Sequence, residues 1–161
     1  MMKVAMIMGS DSDYKVVERT EKVLKDFGIK TQVRVISAHR TPNRAMEFAK
    51  GAEENGVEVI IGAAGKAAHL PGVLAAFTVL PVIGLPIKSS TMDGLDSLLS
   101  IVQMPKGIPV ATVAINGAEN AALLAIQIVS TKYPELREKL KAFREMQEKE
   151  VIEKDEMFLN R

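Results

Sequence analysis

The sequence contains two histidines, and each stands among small or polar residues that follow an apolar run. His39 lies in the segment Ser37-Ala38-His39-Arg40-Thr41-Pro42, directly before an arginine. An imidazole can take up and release a proton near neutral pH, and a guanidinium matches the geometry of a phosphate or carboxylate. Taken alone, the segment fits two interpretations equally well: a solvated surface loop, or a loop that joins proton transfer to anion binding.

A second polar segment, Gly9-Ser10-Asp11-Ser12-Asp13, follows the apolar residues 4–8. Small residues let backbone N–H groups approach an anion, and serine hydroxyls add further donors. The segment lacks the lysine of a P-loop and the later glycines of a dinucleotide fingerprint. It is therefore either a set of helix N-cap residues or an anion site of another kind.

The strongest local signal is the run of residues 62–72, in which glycine and alanine dominate and His69 precedes Leu70-Pro71. Glycine and alanine let a backbone pass close to a ligand. The alternative for His69 is a histidine at a helix end that bonds a carbonyl group. Two histidines without carboxylates at ligand spacing make a weak metal site, so we predict that no metal is bound.

Short apolar runs alternate with helical patterns, which indicates how these segments are positioned. Strands are predicted at residues 4–8, 30–36, 57–61, 81–85 and 108–113, with helices between them. This alternation predicts a three-layer α/β sandwich around a parallel five-stranded sheet in the flavodoxin-like order 2-1-3-4-5. Ligands bind such sheets at the carboxyl ends of the strands, where the loops with His39 and His69 would meet.

Composition excludes several classes of function. Lys and Arg total 21 and Asp and Glu total 20, and a net charge of +1 gives no electrostatic case for binding nucleic acid or an anionic membrane. The absence of cysteine excludes disulfides, thiolate metal sites and a cysteine nucleophile. No apolar stretch reaches about 20 residues and no secretory signal precedes the first one, so we expect a cytoplasmic protein.

At 161 residues the chain is predicted to form a single domain, residues 1–161, whose C-terminal part is unusual. Residues 118–129 are apolar almost all round a helix, so we expect burial against another subunit. Pro134 opens a further helix at about residues 134–155, which we expect to pack on a neighbouring subunit beyond the core of about residues 1–130. Its apolar side chains lie near one stripe: Leu136, Leu140, Phe143, Met146 and Val151.

Together these segments resemble one family, the N5-carboxyaminoimidazole ribonucleotide mutases of purine biosynthesis (the class I PurE family). The resemblance covers nearly the whole chain, in the family's order. Its motifs are Gly9-Ser10-x-Ser12-Asp13, Ser37-Ala38-His39-Arg40-Thr41-Pro42, Ala67-Ala68-His69-Leu70-Pro71-Gly72, Ser100-Ile101-Val102-Gln103-Met104-Pro105-x-Gly107-Ile108-Pro109-Val110 and Asn120-Ala121-Ala122-Leu123-Leu124-Ala125.

The resemblance implies a homo-octameric enzyme that moves a carboxylate from N5 of an aminoimidazole ribonucleotide to ring carbon C4, without ATP, metal or organic cofactor. The implied route is decarboxylation, retention of CO2 in a closed pocket and attack on the CO2 by C4. It implies that His39 is the general acid/base. The implied substrate-binding residues are the phosphate ligands Ser10, Ser12, Ser37 and Arg40, the ribose acceptor Asp13, and Ala38. Ala64, Gly65 and Ala68 would line the pocket of the base and carboxylate, and His69 and Leu70 would close it.

Two other functions stay open: a related carboxylase that uses free CO2 with aminoimidazole ribonucleotide, and a non-enzymatic nucleotide- or flavin-binding module. An aromatic content of 4% without tryptophan offers little to stack on a flavin ring. The chain also departs from the family, since Ala63-Ala64-Gly65-Lys66 stands where Gly-Ala-Gly-Gly is usual. Lys66 either points to solvent or lies over the pocket, where its charge would attract the carboxylate.

Overall fold

Strands and helices alternate along residues 2–160, the part of the chain described by a computed structural model. The strands are β1 (Lys3–Met8), β2 (Lys30–Val35), β3 (Val59–Gly65), β4 (Val82–Ile87) and β5 (Ala111–Thr112). The α-helices are α1 (Tyr14–Asp26), α2 (Pro42–Gly51), α3 (Leu70–Ala76), α4 (Leu95–Val102), α5 (Ala118–Val129) and α6 (Pro134–Leu159). Single 3-10 turns at Asp11–Asp13 and Met92–Gly94 lead into α1 and α4.

Within residues 2–160, five strands form one parallel sheet in the order β2-β1-β3-β4-β5, which confirms the predicted topology. Strand β1 pairs with β2 on one side and with β3 on the other. Nearly every residue of β1, β3 and β4 is buried, because helices cover both faces of the sheet. The predicted three-layer α/β sandwich is therefore confirmed.

Alternate residues of β1 enter two separate apolar cores, because side chains of a strand point to opposite faces. Met6 packs with Leu24 and Ile126 in the core that faces α1, α5 and α6. The next residue, Ile7, packs in the core that faces α2, α3 and α4, together with Ile101. Both cores are dominated by aliphatic side chains, so the sheet is a rigid base for the loops at its carboxyl edge.

Strand β3 ends later than the sequence predicts. The predicted strand stops at residue 61 and leaves residues 62–65 in a loop, whereas these residues continue the ladder with β4 as far as Gly65 and Ile87. A Cβ atom added to Gly62 would lie 3.1 Å from the Pro71 backbone, so the small residues serve close packing of α3 on the sheet. The loop that faces a ligand therefore begins only at Lys66.

Strand β5 is shorter than predicted. The sequence suggests a strand over residues 108–113, but only Ala111 and Thr112 pair with β4. Pro109 lacks a backbone N–H and cannot donate to the ladder, which confines pairing to the residues after it. The sheet consequently ends in a very short edge strand.

The predicted helix α5 has the expected bounds, but the chain itself covers most of its apolar surface. The helix packs against α1, α6, β3 and β4. Its fully buried residues are Ala118, Ala121, Ala122, Ala125, Ile126 and Val129. The expectation that a second subunit is needed to cover this helix was wrong for these residues, because α1, α6 and the sheet already do so.

Helix α6 extends beyond the body of the subunit. Leu136 is buried, and Leu140 and Phe143 pack partly against the core, as the predicted stripe requires. Farther along the same helix, Met146 and Val151 are 48% and 64% exposed. The helix is also charged along its length, and none of the helices within residues 2–160 is both long and apolar enough to cross a bilayer.

Candidate active site

A cavity of about 590 Å³ lies at the carboxyl edge of the sheet, between the loops that follow β1, β2, β3 and β4. All the site residues predicted from sequence line it except Ala68, which is buried beneath the loop. The lining residues that sequence reasoning predicted are Ser10, Ser12, Asp13, Ser37, Ala38, His39, Arg40, Ala64, Gly65, His69 and Leu70. The segments singled out by their chemistry therefore meet in one place.

The two histidines are in direct contact. The Nε2 atom of His39, in the loop after β2, lies 2.8 Å from the Nδ1 atom of His69, at the N-terminus of α3. Their rings are nearly perpendicular, with an interplanar angle of 85°. One of these nitrogens must carry the hydrogen and the other must accept it, so the protonation states of the two rings are linked. Both rings are exposed to the cavity.

Arg40 joins the loop after β2 to the loop after β1. Its Nη2 atom donates a hydrogen bond of 3.0 Å to the carbonyl oxygen of Gly9, and its Nε atom donates to the Ser37 hydroxyl at 3.4 Å. Thr41 fixes the same loop, because its hydroxyl bonds the backbone of Ser37 in both directions at 3.0 Å. Both partners of the guanidinium are neutral, so its charge remains available to an anion.

Ser10 and Ser12 line the cavity in the turn that follows β1. The Ser12 hydroxyl donates to the Ser10 hydroxyl at 2.9 Å, and the Ser10 oxygen accepts from the Ser12 backbone N–H in the turn before α1. Burial raises the pKa of the neighbouring Asp13 carboxyl above its usual value, although a hydrogen bond from Ser12 opposes this shift. Asp13 is thus a carboxylate that the fold partly desolvates beside the cavity.

The loop after β4 also lines the cavity, through Ile87, Lys88 and Ser89. No chemistry was predicted for this loop, which follows the strand expected at residues 81–85. The sequence did offer a signal for it, because ligands bind at the carboxyl ends of parallel strands and this holds for β4 as much as for β2 and β3. Lys88 is paired with Asp93 at 3.2 Å, and its backbone N–H donates to the Asn116 side chain at 2.9 Å. Gly9 and Ala67 also line the cavity, although they were not predicted as site residues, and so does Lys66, for which the sequence left a position over the pocket open.

No cluster of three or more His, Asp or Glu side chains suited to a metal ion occurs within residues 2–160. The contact between the histidines brings only two nitrogen ligands together, and each is already satisfied by the other. The absence of a metal requirement stays a prediction that needs measurement.

Fold and cavity define a class: a parallel three-layer α/β protein with a cationic, histidine-containing site at its topological switch point. A family model described as AIR carboxylase matches residues 3–150. The chain therefore belongs to the AIR carboxylase family.

Relatives and solved structures agree with this assignment. The N5-carboxyaminoimidazole ribonucleotide mutase of Pyrococcus abyssi is 66% identical over 145 residues, which are 90% of this chain and 83% of that protein. The protein of the same name from Thermotoga maritima is 57% identical over 154 residues, which are 96% of this chain and 90% of that protein. The crystal structure of Treponema denticola PurE superposes with a TM-score of 0.87 at 32% identity, over 96% of this chain and 97% of that one.

Proposed function

We propose that the protein converts N5-carboxyaminoimidazole ribonucleotide to 4-carboxy-5-aminoimidazole ribonucleotide, an isomerisation in purine (IMP) biosynthesis. The observation that carries the proposal is the contact of His39 with His69 beside Arg40 in one cavity. A proton-transfer group and an anion-binding group are what this reaction requires. The names of relatives that are 57% and 66% identical support the same reaction.

In the proposed complex the phosphate binds where the loops after β1 and β2 meet. Arg40 supplies a charge-assisted fork, and the hydroxyls of Ser10, Ser12 and Ser37 supply neutral donors. Asp13 accepts hydrogen bonds from the ribose hydroxyls, for which an ionised carboxylate offers two acceptor oxygens. The aminoimidazole ring then extends toward Ala64, Gly65 and Leu70, with Ala38 and Ala68 supporting the loops.

His39 is proposed as the group that moves the proton. Breaking the bond between N5 and the carboxyl carbon releases CO2 and leaves the electron pair on nitrogen, which takes up a proton. Attack of C4 on the same CO2 forms a carbon–carbon bond, after which C4 loses its proton. A single imidazole that gives one proton and recovers the other balances the reaction. His69 orients that imidazole through the 2.8 Å contact.

The experiment that tests this function is an assay of the purified protein with N5-carboxyaminoimidazole ribonucleotide, in EDTA and without ATP or biotin. We expect full turnover, because the proposed chemistry uses no metal or cofactor. Loss of turnover in EDTA that one metal restores would overturn the metal-free mechanism. If turnover occurs only with aminoimidazole ribonucleotide and bicarbonate, the protein is instead the carboxylase that uses free CO2.

The flavin-binding alternative is tested by the visible spectrum of the purified protein. Among the described residues that line the cavity there is no aromatic ring other than the two histidines. A flavin would therefore lack the stacking partners that its ring system usually finds. We expect a colourless protein, whereas absorption near the flavin bands would support a binding module.

We further propose that the protein acts as a cytoplasmic homo-oligomer, the octamer implied by the family. The exposed apolar side chains of α6 beyond Phe143 support this, because a helix that leaves the subunit body with such residues needs a partner. We place the C-terminal half of α6 on a neighbouring subunit.

A further inference from the structure

Lys66 adopts a backbone conformation that is unfavourable for a residue with a side chain. Its φ angle is +56°, in the left-handed region that glycine enters most readily. It begins the tight turn after β3, in which its carbonyl oxygen accepts from the Ala68 backbone N–H at 2.8 Å. A glycine would make the same turn with less strain, so the side chain at this position calls for another explanation.

The charge of Lys66 is not neutralised by the protein. Among residues 2–160 no carboxylate lies within ion-pair distance of its ammonium group, although its side chain is exposed and lines the cavity. Lys88, the other lysine of the cavity, differs because Asp93 pairs with it at 3.2 Å. Lys66 therefore presents an uncompensated positive charge to whatever occupies the site.

Lys66 and Arg40 belong to loops that follow different strands. Arg40 follows β2 and Lys66 follows β3, with β1 between these strands. The ends of β2 and β3 are two strand spacings, about 10 Å, apart in the sheet. The contact between His39 and His69 joins the same two loops. The cavity lining thus holds one cation in the loop after β2 and one in the loop after β3, the two loops that the histidine contact joins.

We propose that the ammonium group of Lys66 binds the carboxylate that the enzyme transfers, and that it distinguishes carboxylated from decarboxylated nucleotide. This inference rests on the proposed mutase function. An ammonium–carboxylate hydrogen bond stabilises substrate and product, both of which carry the anionic group. It contributes much less to the complex with aminoimidazole ribonucleotide, which has lost that group and keeps only its phosphate.

The test compares equilibrium binding of two nucleotides to Lys66→Met and Lys66→Gly by titration calorimetry. We expect both variants to bind 4-carboxy-5-aminoimidazole ribonucleotide at least about tenfold more weakly than wild type. Binding of aminoimidazole ribonucleotide should change less than about twofold. Lys66→Arg, which keeps a cation, should recover most of the lost affinity.

Controls separate this role from a structural one. Lys66→Gly removes the left-handed strain, so it should unfold at the same or a higher temperature than wild type while it loses affinity. Lys50→Met removes a lysine of α2 that does not line the cavity and should bind both nucleotides as wild type does.

Two results would overturn the assignment of Lys66. Unchanged affinity for the carboxylated nucleotide in both variants, or an equal loss for both nucleotides, would mean that the lysine does not recognise the transferred group. If the wild-type protein binds neither nucleotide, the mutase function itself fails and this inference fails with it. These outcomes are distinguishable because wild type is measured first.

Discussion

The Nε2 atom of His39 lies 2.8 Å from the Nδ1 atom of His69, although the residues are 30 positions apart and belong to loops after different strands. Two imidazolium rings could not both donate across this contact, so only one of the two facing nitrogens carries a hydrogen at a time. The contact therefore lets the tautomer of His69 constrain which nitrogen of His39 carries a hydrogen. It also predicts that substitutions at the two positions differ in their effects.

Substitution of His39 by asparagine should abolish turnover while leaving the fold and nucleotide binding intact. Asparagine is similar in size and can keep one hydrogen bond, but it cannot carry a proton between nitrogen and C4. General acid–base catalysis typically contributes about 10²–10⁴-fold, so a loss of at least this size in kcat is expected. Steady-state kinetics, together with equilibrium binding of the product nucleotide, measures both quantities.

His69→Asn should have a milder effect, because the asparagine side chain can still place a polar atom near the Nε2 atom of His39. His69→Leu, which removes every polar partner, should lower kcat further and change the pH profile of the reaction. The assignment of roles would be wrong if His69→Asn were inactive while His39→Asn kept nearly full activity.

Arg40→Ala should weaken nucleotide binding by about 2–4 kcal/mol, because it removes a charge-assisted fork to the phosphate. The guanidinium also donates to the carbonyl oxygen of Gly9, but this contact is exposed and its loss should change thermal stability little. Calorimetric titration with the product nucleotide and a thermal melt measure the two effects. Unchanged binding would mean that Arg40 does not bind the phosphate, which is the other interpretation that the sequence allowed.

The strand order and the meeting of the histidine loops could be predicted because both follow from local patterns. Apolar runs indicate β1 and β4. Because the carboxyl ends of parallel strands meet at one edge of the sheet, the loops with His39 and His69 are then expected at that edge. The end of β3 could not be predicted, because glycine and alanine favour a strand at residues 62–65 only through pairing with β4 and close packing of Pro71.

Other features depended on tertiary contacts that the sequence does not display. Whether α5 needs a second subunit depends on how much of it the rest of the chain covers, and α1, α6 and the sheet cover its main apolar side. The end of β4 indicates the edge of the sheet at which Lys88 lies, but only the fold shows that it lines the cavity. The contact of His39 with His69 likewise could not be predicted, because the sequence places both loops at one edge of the sheet but does not give their positions along it.

Asp13→Asn should stabilise the protein at neutral pH and weaken nucleotide binding. Burial raises the pKa of the folded-state carboxyl, so ionisation is less favourable in the folded than in the unfolded chain. The contribution of Asp13 to stability is therefore fully present below the ordinary pKa of an aspartate, 3.8, and is lost as the pH rises through the raised pKa of the folded state. Asparagine keeps the shape without the charge.

Thermal melts of wild type and Asp13→Asn across acidic and neutral pH check this sign. The variant should unfold at a higher temperature near pH 7, and the gap should shrink as the pH falls toward the pKa of the unfolded side chain. Glu54→Gln, which removes an exposed carboxylate away from the cavity, serves as the control. A gap that is constant with pH would show that ionisation of Asp13 is not its cause.

The C-terminal half of α6 should hold an oligomer together. Val151 and Ile152 are 64% and 50% exposed on a helix whose first turns are anchored by buried Leu136. A monomer would leave these side chains in water, whereas a neighbouring subunit would bury them and gain about 25 cal/mol for each Å² of apolar surface removed from water. Light scattering of wild type at micromolar concentration should therefore give a multiple of the subunit mass, with eight subunits as the expected number.

Changing both residues to glutamate should weaken this assembly without unfolding the subunit, because neither side chain belongs to its core. The double substitution Val151→Glu and Ile152→Glu is compared with Glu150→Gln and Glu153→Gln, which alter charge on the same helix but keep the apolar side chains. We expect smaller species and a subunit circular dichroism spectrum like that of wild type for the first variant, and wild-type mass for the second. A wild-type protein that scatters as a monomer, or a glutamate variant that keeps the full mass, would contradict the proposed role of α6.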